Sequence, residues 1–187
     1  AMRNAQITSG GAGDHSTPAW VARAVDAGVE FVIVSPTRGD VPVGMKARWV
    51  PIRPNTDAAM MLGMLHTLLA AGLHDRAFVQ SHCTGFEQLS AYVSGRHDGQ
   101  PKDAAWAAAI CGVPADTIRD LALEAAGTRS LLTCTWSLQR AHHGEQPYWA
   151  CIALAAALGQ IGLPGGGFAF GHGSMNGVGN PRPDVPG

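Results

Sequence analysis

The stretch 55-NTDAAMMLGMLHTLLAAG-72 constrains the fold more than any other part of the chain. Asn55 or Thr56 can cap a helix at its start, and Gly72 can end it in a left-handed turn. Asp57 falls in the first helical turn, where a negative charge is favourable. Apolar residues occupy nearly every face, so the helix needs other elements on all sides. We therefore predict a deeply buried helix.

Three segments predict strands around this helix. The run 30-EFVIVSP-36 is continuous, apolar and rich in β-branched residues, which is typical of a strand buried on both faces. The segment 48-RWVPIRP-54 predicts a short strand, and its Pro51 favours a sheet edge or a strand end. A third strand is predicted over 130-SLLTCT-135.

The other regular segments have the start and stop signals of helices. They cover residues 16–28, 74–83, 85–95, 103–112, 114–127 and 145–160. The order of elements predicts an α/β fold with a small, mainly parallel, Rossmann-like sheet flanked by helices and interrupted by a helical excursion. We expect a single domain over residues 1–187, with a core over 16–162 and an irregular Gly/Pro-rich tail over 163–187.

Composition narrows the classes of partner. The chain is 46% hydrophobic and has a net charge of −1, so neither nucleic acid nor an anionic membrane is indicated as a partner. No run of 18 apolar residues is present. The four cysteines have no CxxC or zinc-ligand spacing, and we interpret them as reduced thiols of a cytoplasmic protein. A missing N-terminal segment with a twin-arginine signal would instead place the protein in the periplasm.

Polar residues follow each predicted strand. They lie in 35-SPTRGD-40, 53-RPNTD-57 and 136-WSLQR-140. Ligands of parallel α/β sheets bind outside the carboxyl ends of the strands, so we predict that these three segments meet in one cleft.

The side chains of these segments suit a heteroaromatic ligand. The two carboxylate oxygens of Asp57 match the ring and exocyclic N–H donors of guanine, although the residue could instead serve only the helix dipole. Gln139 and Arg140 can donate to a ring edge or a phosphate, with Trp136 excluding water. The alternative is a surface ion pair between Arg140 and Glu145. His142 and His143 alone would make a weak metal site.

A dinucleotide fingerprint is absent from the glycine-rich stretch 9-SGGAGDHS-16, which lacks the GxGxxG spacing. Two further hypotheses stay open on the residues alone. One is a stand-alone module for a nucleotide such as NAD, and the other is a non-catalytic interaction domain.

Four long segments resemble the molybdopterin oxidoreductases of the dimethyl sulfoxide reductase family. They are residues 51–78, 101–122, 135–149 and 157–181. Within that family, 31-FVIVSPTRGD-40 and the SMNGVGNP motif of the tail are most similar to the biotin sulfoxide reductase and trimethylamine-N-oxide reductase branch.

The resemblance implies a cofactor, a reaction and a set of contacts. Members of this family hold molybdenum between two molybdopterin guanine dinucleotides and transfer an oxygen atom to or from an S-oxide or N-oxide substrate. The matching segments imply that Asn55, Thr56 and Asp57 grip a guanine. By the same resemblance, Val34 and Ser35 lie along that nucleotide. The remaining implied contacts, near the pterin or pyrophosphate, are Trp136, Ser137, Gln139 and Arg140.

The resemblance also implies that this chain is an interior fragment. Family members are several times longer, and the serine that ligates molybdenum lies upstream of the matching region. We therefore expect no catalytic or metal-ligating residue in the chain, no bound cofactor in the isolated fragment and no oxygen-atom transfer by it alone. We also expect one unpaired sheet edge, and self-association through it.

Overall fold

The computed structural model describes residues 17–169. These residues fall in two compact units, one that includes residues 17–51 and one that includes residues 52–169. No helix within the described part of the chain is long and apolar enough to cross a membrane. The glycine-rich stretch 9–16 and the tail from residue 170 onward lie outside the described residues.

The first unit contains one helix and one pair of strands. Helix α1 spans Thr17–Asp26, strand β1 spans Phe31–Val34 and strand β2 spans Ala47–Val50. The strands pair in parallel, with Val34 opposite Val50. The predicted helix and both predicted strands of this region are confirmed, and β2 ends directly before a proline, which cannot donate to a ladder.

The burial of β1 differs from the expectation. Ile33 is 8% exposed, whereas Val32 and Val34 are 41% and 37% exposed. Neighbouring side chains of a strand point to opposite faces, so one face of β1 is covered and the other is not. The prediction that this strand is buried on both faces is wrong for the described residues.

The second unit is mainly helical. Its helices are α2 (Asp57–Ala70), α3 (Arg76–His82), α4 (Phe86–Val93), α5 (Ala104–Cys111), α6 (Ala115–Gly127) and α7 (Gln146–Ala157), and its strands are β3 (Leu131–Thr133) and β4 (Gly167–Ala169).

Helix α2 lies at the centre of this unit. Helices α4, α5, α6 and α7 all pack on it, and Leu65 and Leu68 are almost completely buried. The prediction of a deeply buried helix is confirmed. Because its apolar residues face several directions, α2 organises the helices around it.

The second unit also contains a parallel pair of strands, β3 and β4, and helix α7 packs on both. The buried amide of Gln160 fixes the start of β3. It donates to the carbonyl of Thr128 at 2.8 Å and accepts from the N–H of Ser130 at 2.7 Å. These two bonds join the start of β3 to the segment that follows α7.

Two expectations about the sheet need correction. The α/β class and the parallel pairing are confirmed, but the described strands form two separate two-stranded sheets rather than one. Three residues of the tail, Gly167–Ala169, also form a strand where irregular structure was expected. The N–H of Gly167 donates to the carbonyl of Ser130 at 3.0 Å, and such main-chain bonds do not require side chains.

Candidate functional site

A hollow of about 180 Å³ lies in the second unit, between the start of α2, the segment after β3 and the start of α7. The lining residues are Asn55, Asp57, Ala58, Leu138, Ala141, His142, His143, Gly144, Gln146 and Pro147. Two helices present their N-terminal ends to it, and such ends carry partial positive charge. The hollow is therefore suited to a ligand that combines a polar ring edge with negative charge.

The turn before α2 places Asn55 and Asp57 at the hollow. Asn55 has a φ of 62°, a left-handed conformation that asparagine tolerates better than most residues. Thr56 occupies the cap position, but its hydroxyl donates to the carbonyl of Arg53 at 2.7 Å and caps no helical N–H. The predicted side-chain cap is thus absent, and Thr56 instead closes the turn.

The segment after β3 reaches the hollow with different residues from those expected. Trp136–Gln139 forms a short 3-10 helix, and Leu138 and Ala141 line the hollow. Trp136, Ser137, Gln139 and Arg140 are exposed and lie outside the lining. Asp57 and this segment therefore share a hollow, but the side chain of Arg140 does not line it.

The lining includes residues that sequence reasoning did not assign to the site. His142 and His143 have ring centroids 3.8 Å apart, and His143 has a φ of 56°. Gly144 is buried, and a Cβ there would overlap the carbonyl group of Gln139. The sequence signal that could have indicated this part of the site was a glycine directly after two histidines. Glu145 faces the ring of His143 at 3.6 Å, so the described residues do not show the ion pair with Arg140.

Charge and burial distinguish Asp57 from a surface carboxylate. Burial raises the pKa of Asp57, and a hydrogen bond from its own backbone N–H partly opposes that rise. Among the described residues, this N–H is the donor that bonds to the Asp57 carboxylate. The free acceptor positions of a half-buried carboxylate at a hollow are suited to N–H donors of a ligand.

The charge of Asp57 acts on one of a pair of thiols, Cys134 and Cys151. The pKa of Cys134 is lowered chiefly by a hydrogen bond with Cys151, while burial and the charge of Asp57 oppose the change. The same bond and burial raise the pKa of Cys151. Tyr148 joins this region by donating its hydroxyl to the carbonyl of Thr135 at 2.8 Å. This bond joins the segment that follows β3 to α7.

Val34 and Ser35 lie at the end of β1 in the first unit. Ser35 is 5% exposed, and its hydroxyl donates to the carboxylate of Asp40 and accepts from the N–H of Thr37 at 3.2 Å. The indole of Trp49 donates to the carbonyl of Ser35 at 2.9 Å. These bonds hold the turn that follows β1 in a defined shape.

A guanine base matches the hollow in size and chemistry. Pockets for whole drug-sized ligands are about 300–1,000 Å³, so a hollow of about 180 Å³ has room for one heterocycle. Asp57 supplies two acceptors for adjacent N–H groups, and Leu138 and Ala141 supply an apolar wall. The residues present therefore fit a guanine.

Comparison with known proteins supplies independent evidence. The model of the molybdopterin oxidoreductase family matches residues 15–181. The chain is 50% identical over 179 residues to biotin sulfoxide reductase of Cereibacter sphaeroides, covering 96% of this chain and 24% of that protein. It is 43% identical over 150 residues to trimethylamine-N-oxide reductase of Haemophilus influenzae, covering 80% of this chain and 18% of that protein.

The fold comparison finds a similar fold in a solved structure. Acetylene hydratase from Pelobacter acetylenicus superposes with a TM-score of 0.63 at 25% identity, covering 75% of this chain and 18% of that chain. The chain thus spans about a quarter of the length of the biotin sulfoxide reductase that it matches, and smaller shares of the other two proteins.

Proposed function

The chain belongs to the molybdopterin oxidoreductase family, and on that premise we propose that it is the part of a molybdenum-dependent S-oxide or N-oxide reductase that binds a guanine nucleotide portion of the cofactor. The proposal extends the family assignment in two ways. It specifies the guanine dinucleotide form of molybdopterin, and it assigns the grip on guanine to this chain.

The substrate class follows from the relatives. Proteins 43–50% identical to this chain carry the names of biotin sulfoxide and trimethylamine-N-oxide reductases. Sulfoxides and N-oxides share a polar bond to a terminal oxygen, so one cofactor can reduce both. The oxygen-atom transfer belongs to the whole reductase rather than to this chain alone.

The placement of Asp57 carries the proposal. Its carboxylate lies at a hollow of the size of one heterocycle, beside the left-handed turn of Asn55. The N1–H and 2-amino groups of guanine are adjacent donors, and a carboxylate can accept from both at once. Adenine presents no such pair of donors on one edge, so this contact selects guanine.

The chain's own residues bind and orient the nucleotide. Asp57 accepts the two N–H bonds, Leu138 and Ala141 pack against the ring, and the N-terminal end of α7 favours a nearby phosphate charge. The chemistry that the bound molybdenum cofactor supplies is two-electron oxygen-atom transfer. We propose Val34, Ser35, Thr56, Trp136, Ser137, Gln139 and Arg140 as additional contacts to the cofactor.

Nucleotide titration tests the proposal. We expect the chain to bind GDP more tightly than ADP or NAD, and we expect Asp57→Ala to remove that preference. Asp116→Ala is a matched control, because Asp116 is an exposed carboxylate that pairs with Arg119 on α6. Tighter binding of NAD would support a stand-alone NAD module instead. No preference between GDP and ADP would refute the guanine site.

We also propose self-association through a strand edge and a cytoplasmic location. Among the described residues each sheet has two strands, so each strand has an edge available for pairing. All four cysteines are free, which suits a reducing compartment. Sedimentation velocity over a concentration series tests the first proposal, and fractionation of cells that produce the whole protein tests the second.

A further inference from the structure

Arg53 binds the end of helix α5 with three donor contacts. Its backbone N–H donates to the carbonyl of Cys111 at 2.9 Å. One guanidinium nitrogen, Nη1, donates to the carbonyl of Ala109 at 2.9 Å and to that of Ile110 at 3.1 Å. These carbonyls belong to the last turn of α5.

The contacts complete the hydrogen bonding of that helix end. The last four carbonyls of an α-helix lack partners within the helix. In α5 the carbonyl of Ala108 accepts from the N–H of Gly112. The other three carbonyls accept hydrogen bonds from Arg53. The guanidinium charge also lies at the negative end of the helix dipole. Arg53 therefore has a specific place rather than a free surface position.

The side chain of Arg53 passes over Gly112. A Cβ at Gly112 would lie 3.3 Å from Nε and 3.4 Å from Cγ of Arg53. Gly112 also has a φ of 75°, which favours glycine. The left-handed end of α5 thus leaves room for the arginine.

Arg53 is joined to Asp57 through the intervening turn. The carbonyl of Arg53 accepts the hydroxyl of Thr56 at 2.7 Å, and the carbonyl of Thr56 accepts the N–H of Ala59 at 3.1 Å. The donors of Arg53 therefore fix one end of the 53–57 turn, and the first turn of α2 fixes the other. Asn55 holds its left-handed conformation inside that turn.

The same two helices are also held together further along. A Cβ on Gly63 of α2 would lie 2.7 Å from the Cβ of Ala107 on α5. With Arg53 at one point and Gly63 at the other, the start of α2 has a fixed position relative to α5.

From this geometry we infer that Arg53 is the positioning residue of the guanine site: it anchors the 53–57 turn to the end of α5 and so orients the Asp57 carboxylate toward two N–H donors at once. The inference rests on the proposed function and adds to it the residue that sets guanine specificity. Arg53 itself does not line the hollow.

A positioning role and a general structural role make different predictions. General destabilisation lowers the fraction of protein that is folded and able to bind. It therefore weakens the binding of every nucleotide by the same factor. If Asp57 is misoriented, its carboxylate loses mainly the hydrogen bond to the 2-amino group of the base. GDP has this group and IDP lacks it. The ratio of the IDP and GDP dissociation constants therefore reports orientation and is independent of the folded fraction.

The experiment compares Arg53→Met, Arg53→Lys and wild type in the full 187-residue chain. Methionine keeps an unbranched stem without donors, and lysine keeps the charge. We expect Arg53→Met to lower the preference for GDP over IDP by about ten-fold, the equivalent of one charge-assisted hydrogen bond. We expect Arg53→Lys to lie between it and wild type. Arg119→Met is the control, because Arg119 pairs with Asp116 on α6, a helix that contributes no residue to the hollow.

Amide hydrogen exchange supplies a second readout that requires no nucleotide. We expect faster exchange in Arg53→Met at the N–H groups of Ala59 and Met60, which donate to the carbonyl of Thr56, and unchanged exchange there in Arg119→Met. Unchanged exchange at Ala59 and Met60 in Arg53→Met would overturn the anchoring. An unchanged GDP/IDP ratio in Arg53→Met, with wild type showing a clear preference, would overturn the specificity role alone. Absence of any preference in wild type would instead refute the proposed function.

Discussion

Gly63 and Ala107 bring helices α2 and α5 into direct contact, because a Cβ on Gly63 would lie 2.7 Å from the Cβ of Ala107 and 3.3 Å from Cγ2 of Ile118. Real Cβ atoms do not approach each other so closely. The glycine in the middle of α2 is therefore required by packing, although glycine disfavours a helix. This contact holds the helix that begins with Asp57.

Gly63→Ala is expected to destabilise the chain. Overpacking a core costs about 1–3 kcal/mol, and replacing a mid-helix glycine regains about 0.5–1 kcal/mol. We expect a net loss of about 1 kcal/mol or more in the free energy of unfolding, measured by urea denaturation. Gly127→Ala is the control, because nothing lies within 4 Å of a Cβ there. Equal effects of the two substitutions would contradict the packing argument.

Asp57→Asn is expected to stabilise the chain with a specific pH dependence. Burial raises the pKa of Asp57 in the folded protein. The carboxyl therefore favours folding at pH values below its ordinary pKa, and this contribution is lost as the pH rises through the raised pKa. Because asparagine does not titrate, the stability of Asp57→Asn relative to wild type should increase from acid to neutral pH.

Urea midpoints of both proteins across this pH range measure the difference. A constant difference would show that burial does not disfavour the charged form. The same variant should lose its preference for GDP, since the amide offers one acceptor oxygen where the carboxylate offers two.

Cys134 is expected to react with iodoacetamide before Cys151. The hydrogen bond between them lowers the pKa of Cys134 and, together with burial, raises that of Cys151. The thiolate is the nucleophile, so Cys134 should be alkylated first at neutral pH, as read by peptide mass spectrometry. Cys151→Ala should slow this reaction, and Cys151→Ser, which keeps a donor, should slow it less. Faster alkylation of Cys151 would exclude the bond.

Gly144→Ala is expected to deform the hollow. A Cβ there would overlap the carbonyl group of Gln139, so the loop after the 3-10 helix must move. We expect weaker binding of GDP. We expect only a small change in melting temperature, because the loop lies outside the core formed by α2 and the helices packed on it. Gly127→Ala again serves as the control, and equal GDP affinity in both variants would contradict the prediction.

Local signals in the chain identified most of the helices. Gly28 and Gly72 each adopt the left-handed conformation expected after a helix, and Asp103 caps α5 through the N–H of Trp106 at 2.7 Å. These features depend on a few neighbouring residues. They can therefore be predicted from the sequence alone.

Other features depend on residues far apart in the chain. The three carbonyls that accept hydrogen bonds from Arg53 lie more than fifty residues further along the chain. The strand that begins at Gly167 pairs with β3, although α7 lies between them in the sequence. No local pattern predicts such partners. The exposed face of Val32 and Val34 likewise reflects which elements reach the strand, not the composition of the strand itself.

The candidate site combines both kinds of information. Sequence alone determined that α2 is buried, that Asp57 opens it and that a polar segment follows β3, because helix caps and apolar periodicity are local properties. Tertiary structure decided that Leu138, Ala141 and His142 face the hollow while Arg140 does not. That choice depends on the rotation of the short 3-10 helix at the edge of the hollow, and contacts between residues far apart in the chain set such a rotation.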